Sequence, residues 1–313
     1  MRVAFVGKGG SGKTTISSLF ALYAASTGKR VLALDADINQ HLASAMGIEG
    51  TLRSMGEDFT AIKEHLRGDN RLFEVSRMHK TTPPGTGSHF VRLEPNDWFI
   101  KNFCKKSEGV FVAGAGDIPE GNVGVKCYHG LNGAIELVLG HILDDKDDVV
   151  VVDMTAGADA FSSSMFAKVD ALVLVVEATL KSASVYTQFM PNVKKYNIPL
   201  IVVGNKIQDE SDAAFLAEKI QSPIATTFGI SRFIKMRERG ENVSVDDMDE
   251  SLKHGLSQLY NKLAAIERDW DALEKRSHEL HKKNALSWMG HETLSQIDSS
   301  FSLKEFAESK LGQ

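Results

Sequence analysis

The sequence predicts an α/β fold: a doubly wound, mainly parallel sheet followed by a helical C-terminal extension. Three observations carry that expectation. Short runs of Val, Ile and Leu recur through the first 245 residues, the composition of strands covered on both faces. The stretches between them place apolar residues at helical spacing. The first run leads directly into GKGGSGKTT (7–15), a glycine-rich loop of the G-x-x-x-x-G-K-T spacing.

RVAFVG (2–7) reads as a buried strand that ends in glycine. TTISSLFALYAASTG (14–28) follows as a helix, with Ile16, Leu19, Phe20 and Tyr23 in register and Gly28 near its end. RVLALDAD (30–37) is the next strand and closes on carboxylates. Strand, helix and strand over about forty residues make a βαβ unit of a parallel sheet. Further strands are expected at GVFVAGAG (109–116), DVVVVD (148–153), ALVLVVEA (171–178), PLIVVGNK (199–206) and SPIATTFG (222–229). SASVYTQFMPNVKKY (182–196) supplies an intervening helix.

Two stretches break the alternation. Residues 50–108 are polar, and a helix plus a small hairpin (RLFEVSRM with HFVRLEP) is expected there. From residue 249 the chain is charged and helical, with Leu252, Leu256, Leu259, Leu263, Ile266 and Trp270 forming an amphipathic stripe. Such a stripe packs on its own domain or serves as an interaction arm. The organisation expected is therefore a domain over 1–248, with the polar insertion at about 50–108, and a helical extension over 249–313.

Composition narrows the class. The chain has 313 residues, with 36 Lys and Arg against 41 Asp and Glu, a formal charge of −5. That balance gives no electrostatic pointer to nucleic acid. Cys104 and Cys127 are the two cysteines; they make no disulfide framework and fit a reducing, cytoplasmic location. The apolar N-terminal run is too short to span a membrane.

The chemistry begins in the loop. Gly7, Gly9, Gly10, Ser11 and Gly12 bring backbone N–H groups to a phosphate at a helix N-terminus. Lys13 is placed for the β- and γ-phosphates, the Thr14 hydroxyl for Mg²⁺, and Thr15 completes the nucleotide cradle. A second lysine, Lys8, stands inside the loop.

With Lys8 the signature KGG-x-GKTT is complete, and the sequence resembles the deviant Walker A ATPases, the group of MinD, ParA, the nitrogenase iron protein and the CooC-type nickel-insertion ATPases. The resemblance implies a homodimer around two ATP molecules, in which Lys8 reaches the partner's phosphates. It also implies that Asp37, in LDADINQHL (34–42), orients the attacking water and lies near the Mg²⁺. Asp35 is read as structural. VVVVDMTAG (149–157) resembles switch II, with Asp153 at the Mg²⁺ shell and Gly157 turned to the γ-phosphate. GNK (204–206) resembles the base-recognition corner, with Asn205 on the adenine and Lys206 beside it; FGISRFIKMRERGEN (228–242) resembles the segment that closes over the base.

The branch within the group turns on Cys127. A nitrogenase-type cluster draws two cysteines from each subunit, and Ala160 stands where the second would be, so no iron–sulfur cluster is expected. Cys127-Tyr128-His129 resembles the C-x-C of CooC-like proteins, and two such pairs across a two-fold axis would offer Cys₂His₂ to Zn²⁺ or Ni²⁺. The alternative is a small buried thiol beside a surface histidine. Asp159 and Ala160 also depart from the Glu-His of that branch. HELH (278–281) reads as a solvated helix face or a metal pair; FSLKEFAESKLG (301–312) has too few basic residues for a membrane helix.

These features lead to an Mg²⁺-dependent ATP hydrolase working as a dimer switch, with a protein client. The client reading is an accessory ATPase that helps mature a metalloenzyme. The alternative is a MinD- or ParA-like positioning ATPase whose output is binding to a partner, a membrane or DNA, though neither DNA nor membrane binding finds support in the charge pattern.

Overall fold

The Val/Ile/Leu runs pair side by side because each has apolar residues on both faces and only layers of helix can cover both. The computed structural model describes residues 1–116, 128–241 and 243–311. Among them the strands are β1 (Arg2–Gly7), β2 (Arg30–Ala36), β3 (Lys105–Ser107), β4 (Val110–Gly114), β5 (Asp148–Met154), β6 (Ala171–Val176), β7 (Leu200–Asn205) and β8 (Ile224–Phe228). They form one sheet in the order β3-β4-β2-β5-β1-β6-β7-β8. All neighbours are parallel except the short edge strand β3, which runs antiparallel to β4.

The helices are α1 (Lys13–Ser26), α2 (Leu42–Ala45), α3 (Phe59–Arg67), α4 (Trp98–Phe103), α5 (Tyr128–Gly140), α6 (Leu180–Tyr196), α7 (Glu210–Lys219), α8 (Arg232–Glu238), α9 (Glu250–Ala264), α10 (Trp270–Asn284) and α11 (Leu303–Leu311). Alternate strand residues feed two cores. Val3, Phe5, Val31, Val151 and Val173 pack with Leu19 and Phe20 of α1 and with α9. Ala4, Val6, Leu32, Val152 and Leu174 pack with α3, α5 and α6 on the other face.

The stripe of the C-terminal region is an inward face. Leu252, Leu256, Leu259 and Leu263 are buried in the α1 core, and Tyr260 meets the rings of Phe20 and Tyr23. Burial of four such leucines is worth several kcal/mol in all, so α9 is part of the sheet's covering layer.

The insertion folds differently from expectation. Its helix is present as α3, but RLFEVSRM and HFVRLEP form no hairpin. Val75–Arg77 is a 3-10 turn, and Val91 makes one isolated parallel bridge to Ile142. The apolar residues of these segments, Phe73, Met78, Val91 and Leu93, are buried in the core beside α3 and α5 instead, and the chain around them binds the C-terminal region. Thr81 donates to Nδ1 of His281 at 3.0 Å, and His281 donates from Nε2 to the Thr293 carbonyl at 3.0 Å. Thr82 donates to Gln296 at 2.7 Å, and Phe90 stacks on Phe306 with centroids 4.6 Å apart. His281 is thus fully buried, which corrects both readings of HELH: it is neither a solvated face nor a metal pair.

At the opposite end from the phosphate loop, the link between α9 and α10 is clasped to the sheet. Arg268 pairs with Asp144 at 2.6 Å and Asp170 at 2.7 Å, and Arg2 pairs with Asp144 at 2.7 Å. Burial alone would raise the Asp144 carboxyl; Arg2 and Arg268 overcome it and hold the group well below the usual carboxylate range.

Two predictions follow from this packing. Arg268→Ala leaves Asp144 and Asp170 short of a buried partner and is expected to cost about 3–5 kcal/mol, read as a lowered urea midpoint. Burial pushes His141 down to about 3 and His281 to about 4, against 6.5 for the free side chain. The unfolded chain binds the extra protons, so stability falls as pH drops from 6.5 towards 4. The slope is about 1.4 kcal/mol per pH unit for each histidine. Urea titrations at pH 7.5, 6 and 5 measure it, and His281→Gln should flatten the dependence.

Candidate nucleotide-binding site

The loop leaves β1 at the middle of the sheet, the position where ligands bind beyond the carboxyl ends of strands. Gly7 must be glycine: its φ is +154°, and a Cβ there would collide with the Val175 carbonyl of β6. Gly12 has φ +88° and caps α1 without any side-chain hydrogen bond, and no acidic residue stands in the first turn. The first N–H groups of α1 therefore face the loop with their partial positive charge available to an anion. The Ser11 N–H donates to the Lys8 carbonyl at 3.1 Å and closes the loop.

Around this turn the strand ends bring charged side chains together. Lys13 is 6 % exposed, and its Nζ lies 3.8 Å from Asp37 Oδ2. Thr14 donates to Asp153 Oδ2 at 2.5 Å. Asp35 accepts from the N–H groups of Asp37 at 3.2 Å and Leu42 at 2.8 Å, so it shapes the 36–42 turn. Asn39 donates to Asp37 Oδ1 from its N–H at 3.0 Å and from its amide at 2.9 Å.

Burial pushes the Asp153 carboxyl up to about 7; the Thr14 hydrogen bond and Lys13 oppose that rise, while the Asp37 charge adds to it. Burial, reinforced by Asp153, raises Asp35 as well. The buried Asp153 Oδ1 and Ser11 Oγ have no hydrogen-bond partner. A set of hydroxyl and carboxylate oxygens with an unsatisfied member suits a hard divalent cation such as Mg²⁺ rather than a soft one. The residues present fit that ion.

Asn205 and Lys206 lie under the loop. Asn205 is buried, donates to the Ser11 carbonyl at 2.8 Å and fills the space where a Gly12 Cβ would be. Lys206 donates to the Gly10 carbonyl at 2.7 Å and pairs with Glu177 at 2.6 Å. Both therefore support the phosphate loop directly. Glu177 was not singled out by sequence, although a carboxylate closing an apolar strand is the same signal that marked Asp37 and Asp153.

Gly157 opens a 3-10 turn (Gly157–Phe161) at φ +67°, and Ala156 lies against Gly9. Thr15 faces a cavity of about 360 Å³ between α1, α2 and α8, bordered by Ser18, Ser44, Ile234 and Arg237. Arg237 fixes α8 by pairing with Glu108 at 2.8 Å. The Lys8 side chain makes no ion pair or side-chain hydrogen bond among the described residues. Cys127 and the side chain of His129 lie outside the described residues. Among those described, no group of three or more His, Cys, Asp or Glu residues is arranged to hold a metal, and no helix is long and apolar enough to cross a membrane.

Comparison with known proteins agrees with this geometry. The CobQ/CobB/MinD/ParA nucleotide binding domain matches residues 3–291, a span that takes in α9 and α10. The carbon monoxide dehydrogenase accessory protein CooC of Rhodospirillum rubrum is 28% identical over 221 residues, 70% of this chain and 79% of its own length. An ATP-binding protein of Methanocaldococcus jannaschii is 28% identical over 212 residues, 67% of this chain and 76% of its own. The cell division ATPase MinD of Pyrococcus furiosus shares the fold, with a TM-score of 0.55 at 16% identity over 88% of this chain and 98% of that one. With a phosphate loop, two switch-like carboxylates and a family match across most of its length, the chain belongs to the CobQ/CobB/MinD/ParA family of P-loop nucleotide-binding ATPases.

Proposed function

We propose that the protein hydrolyses ATP as a nucleotide-driven dimer and serves as an accessory ATPase for a metalloenzyme. The observation that carries the hydrolysis is the grouping of Lys13, Thr14, Asp37 and Asp153 at the uncapped N-terminus of α1. The main-chain N–H groups from Gly9 to Thr15 bind the phosphates, and Lys13 balances charge as the bond to the γ-phosphoryl group breaks. Thr14 and Asp153 are the residues to hold Mg²⁺, which when bound would neutralise phosphate charge. Asp37 positions the attacking water, and Gly157 carries the nucleotide state into the segment that follows β5. The cavity bordered by Ser18 and Arg237 receives the ribose and base, with Asn205 holding the loop from beneath.

Lys8 supplies the dimer. It sits in the loop with no partner of its own among the described residues, so its charge is available to a second nucleotide, as a finger in trans. The accessory role rests on the CooC relative, which covers most of its own length in the match. Cys127 and His129 are the residues through which a client's Zn²⁺ or Ni²⁺ would be held between subunits.

Three measurements test this reading. Lys13→Ala should weaken nucleotide binding by roughly 100-fold, about 3 kcal/mol. Lys8→Ala should bind nucleotide within about threefold of wild type yet turn over on the order of 10³-fold more slowly; normal turnover and normal dimerisation would refute the role in trans. For the accessory role, Zn²⁺ and Ni²⁺ are titrated with ADP and ATP against the protein and Cys127→Ser. Metal uptake that depends on both nucleotide and Cys127 supports it, and uptake indifferent to Cys127 counts against it in favour of a positioning ATPase.

A further inference from the structure

Among the described residues, buried side-chain polar atoms without a hydrogen bond occur in two places. One is the phosphate site, at Ser11 Oγ and Asp153 Oδ1. The other is α5 and the residue after it, at Asn132 Oδ1, Glu136 Oε2 and His141 Nε2. A buried polar atom without a hydrogen bond is costly, and a nucleotide with its cation accounts only for the first pair. The second group needs its own explanation.

Asn132 and Glu136 stand four residues apart and so share one face of α5; they are 3 % and 0 % exposed. Their satisfied atoms reach the two segments that flank the nucleotide site. The Asn132 amide donates to the carbonyl of Ala36 at 2.9 Å, one residue before Asp37. Glu136 accepts from the hydroxyl of Ser164, three residues beyond the turn that Gly157 opens. Its other oxygen has only the Lys80 ammonium, 3.4 Å away, and Lys168 donates to the Glu136 carbonyl at 2.7 Å. An ordinary core helix in this position would be apolar throughout, as Leu131, Ala134, Ile135, Leu137 and Val138 are.

We propose that α5 is the coupling helix of this ATPase, and that Asn132 and Glu136 are positioning residues which tie it to the Asp37 segment and to the segment after Gly157 at once. Asn132 keeps its carbonyl oxygen unbonded and Glu136 holds its second oxygen only through the Lys80 ion pair, so this face of the helix can take up a second bonding pattern. Movement of either flanking segment on nucleotide binding then shifts α5, and whatever moves α5 biases Asp37.

The inference rests on the nucleotide-binding reading, and the test separates the two. Binding of a fluorescent ADP is measured first; failure to bind overturns the proposed function itself. Hydrogen exchange is then followed in peptides covering 128–140, without nucleotide and with a non-hydrolysable ATP analogue. Wild type should change protection there by about fivefold or more. Asn132→Leu, isosteric but unable to donate, and Ser164→Ala should each reduce that change to under about twofold while binding nucleotide within about threefold of wild type. Both should lower kcat by about tenfold with little change in KM. Glu136→Gln keeps an acceptor for Ser164 and should retain the response. A wild-type α5 that ignores nucleotide, or variants that respond as wild type does, would overturn the coupling. If Asn132→Leu melts early, Ser164→Ala, which alters the contact from outside the helix, decides the matter.

Discussion

A helix that begins without a cap at the centre of a sheet has N–H groups that must find partners elsewhere. In this protein the sequence withholds every intramolecular remedy: Gly12 offers no side chain, and the first turn of α1 has no carboxylate. An anion is the remaining partner, and the neighbouring strands are arranged to deliver the groups such an anion needs. β5, β1 and β6 lie side by side, so Asp153, the phosphate loop and Glu177 emerge together. The crossover through α1 to β2 brings Asp37 alongside.

The electrostatics follow from that convergence. The charges of Asp153 and Asp37 add to the burial that raises Asp35, and the charge of Asp37 adds to the burial that raises Asp153, with the ammonium of Lys13 to offset it. Division of labour comes from hydrogen bonding. Asp35 spends its oxygens on the backbone of its own turn, and Asp153 keeps one oxygen bonded to Thr14 and one without a partner. The same chemistry thus ties one carboxylate to its own turn and leaves the other with an unbonded oxygen, according to what surrounds each.

Away from the site, the polar insertion and the C-terminal segments complete one another. Their contacts include hydrogen bonds across 200 or more residues of chain, Thr81 with His281, Thr82 with Gln296 and the Thr86 N–H with Asp298, and the ring stack of Phe90 on Phe306. The Arg268 clasp fixes where α10 leaves the sheet. α10 in turn rests on the segment after β5, where Arg276 donates to the Ala167 carbonyl at 3.3 Å. The layer that looks like an appendage in the sequence is therefore in contact with the segment that follows β5.

What the sequence alone determined is whatever depends on local pattern. Strand runs, the helix after the loop and the loop residues Lys13 and Thr14 were legible, because backbone geometry and phosphate chemistry demand particular residues at fixed spacing; Lys8, Asp37 and Asp153 stood out through the family resemblance. The tertiary structure decided everything that depends on distant partners. It turned the expected hairpin into a 3-10 turn and an isolated bridge, since Phe73, Met78, Val91 and Leu93 are drawn into the core beside α3 and α5 rather than paired with a neighbouring strand. It buried His281, whose surroundings come from Thr81 and Thr293, and it joined Glu177 to Lys206 and Asn132 to Ala36. A buried hydrogen bond takes its value from desolvation by residues far away in sequence, and no window along the chain contains that information.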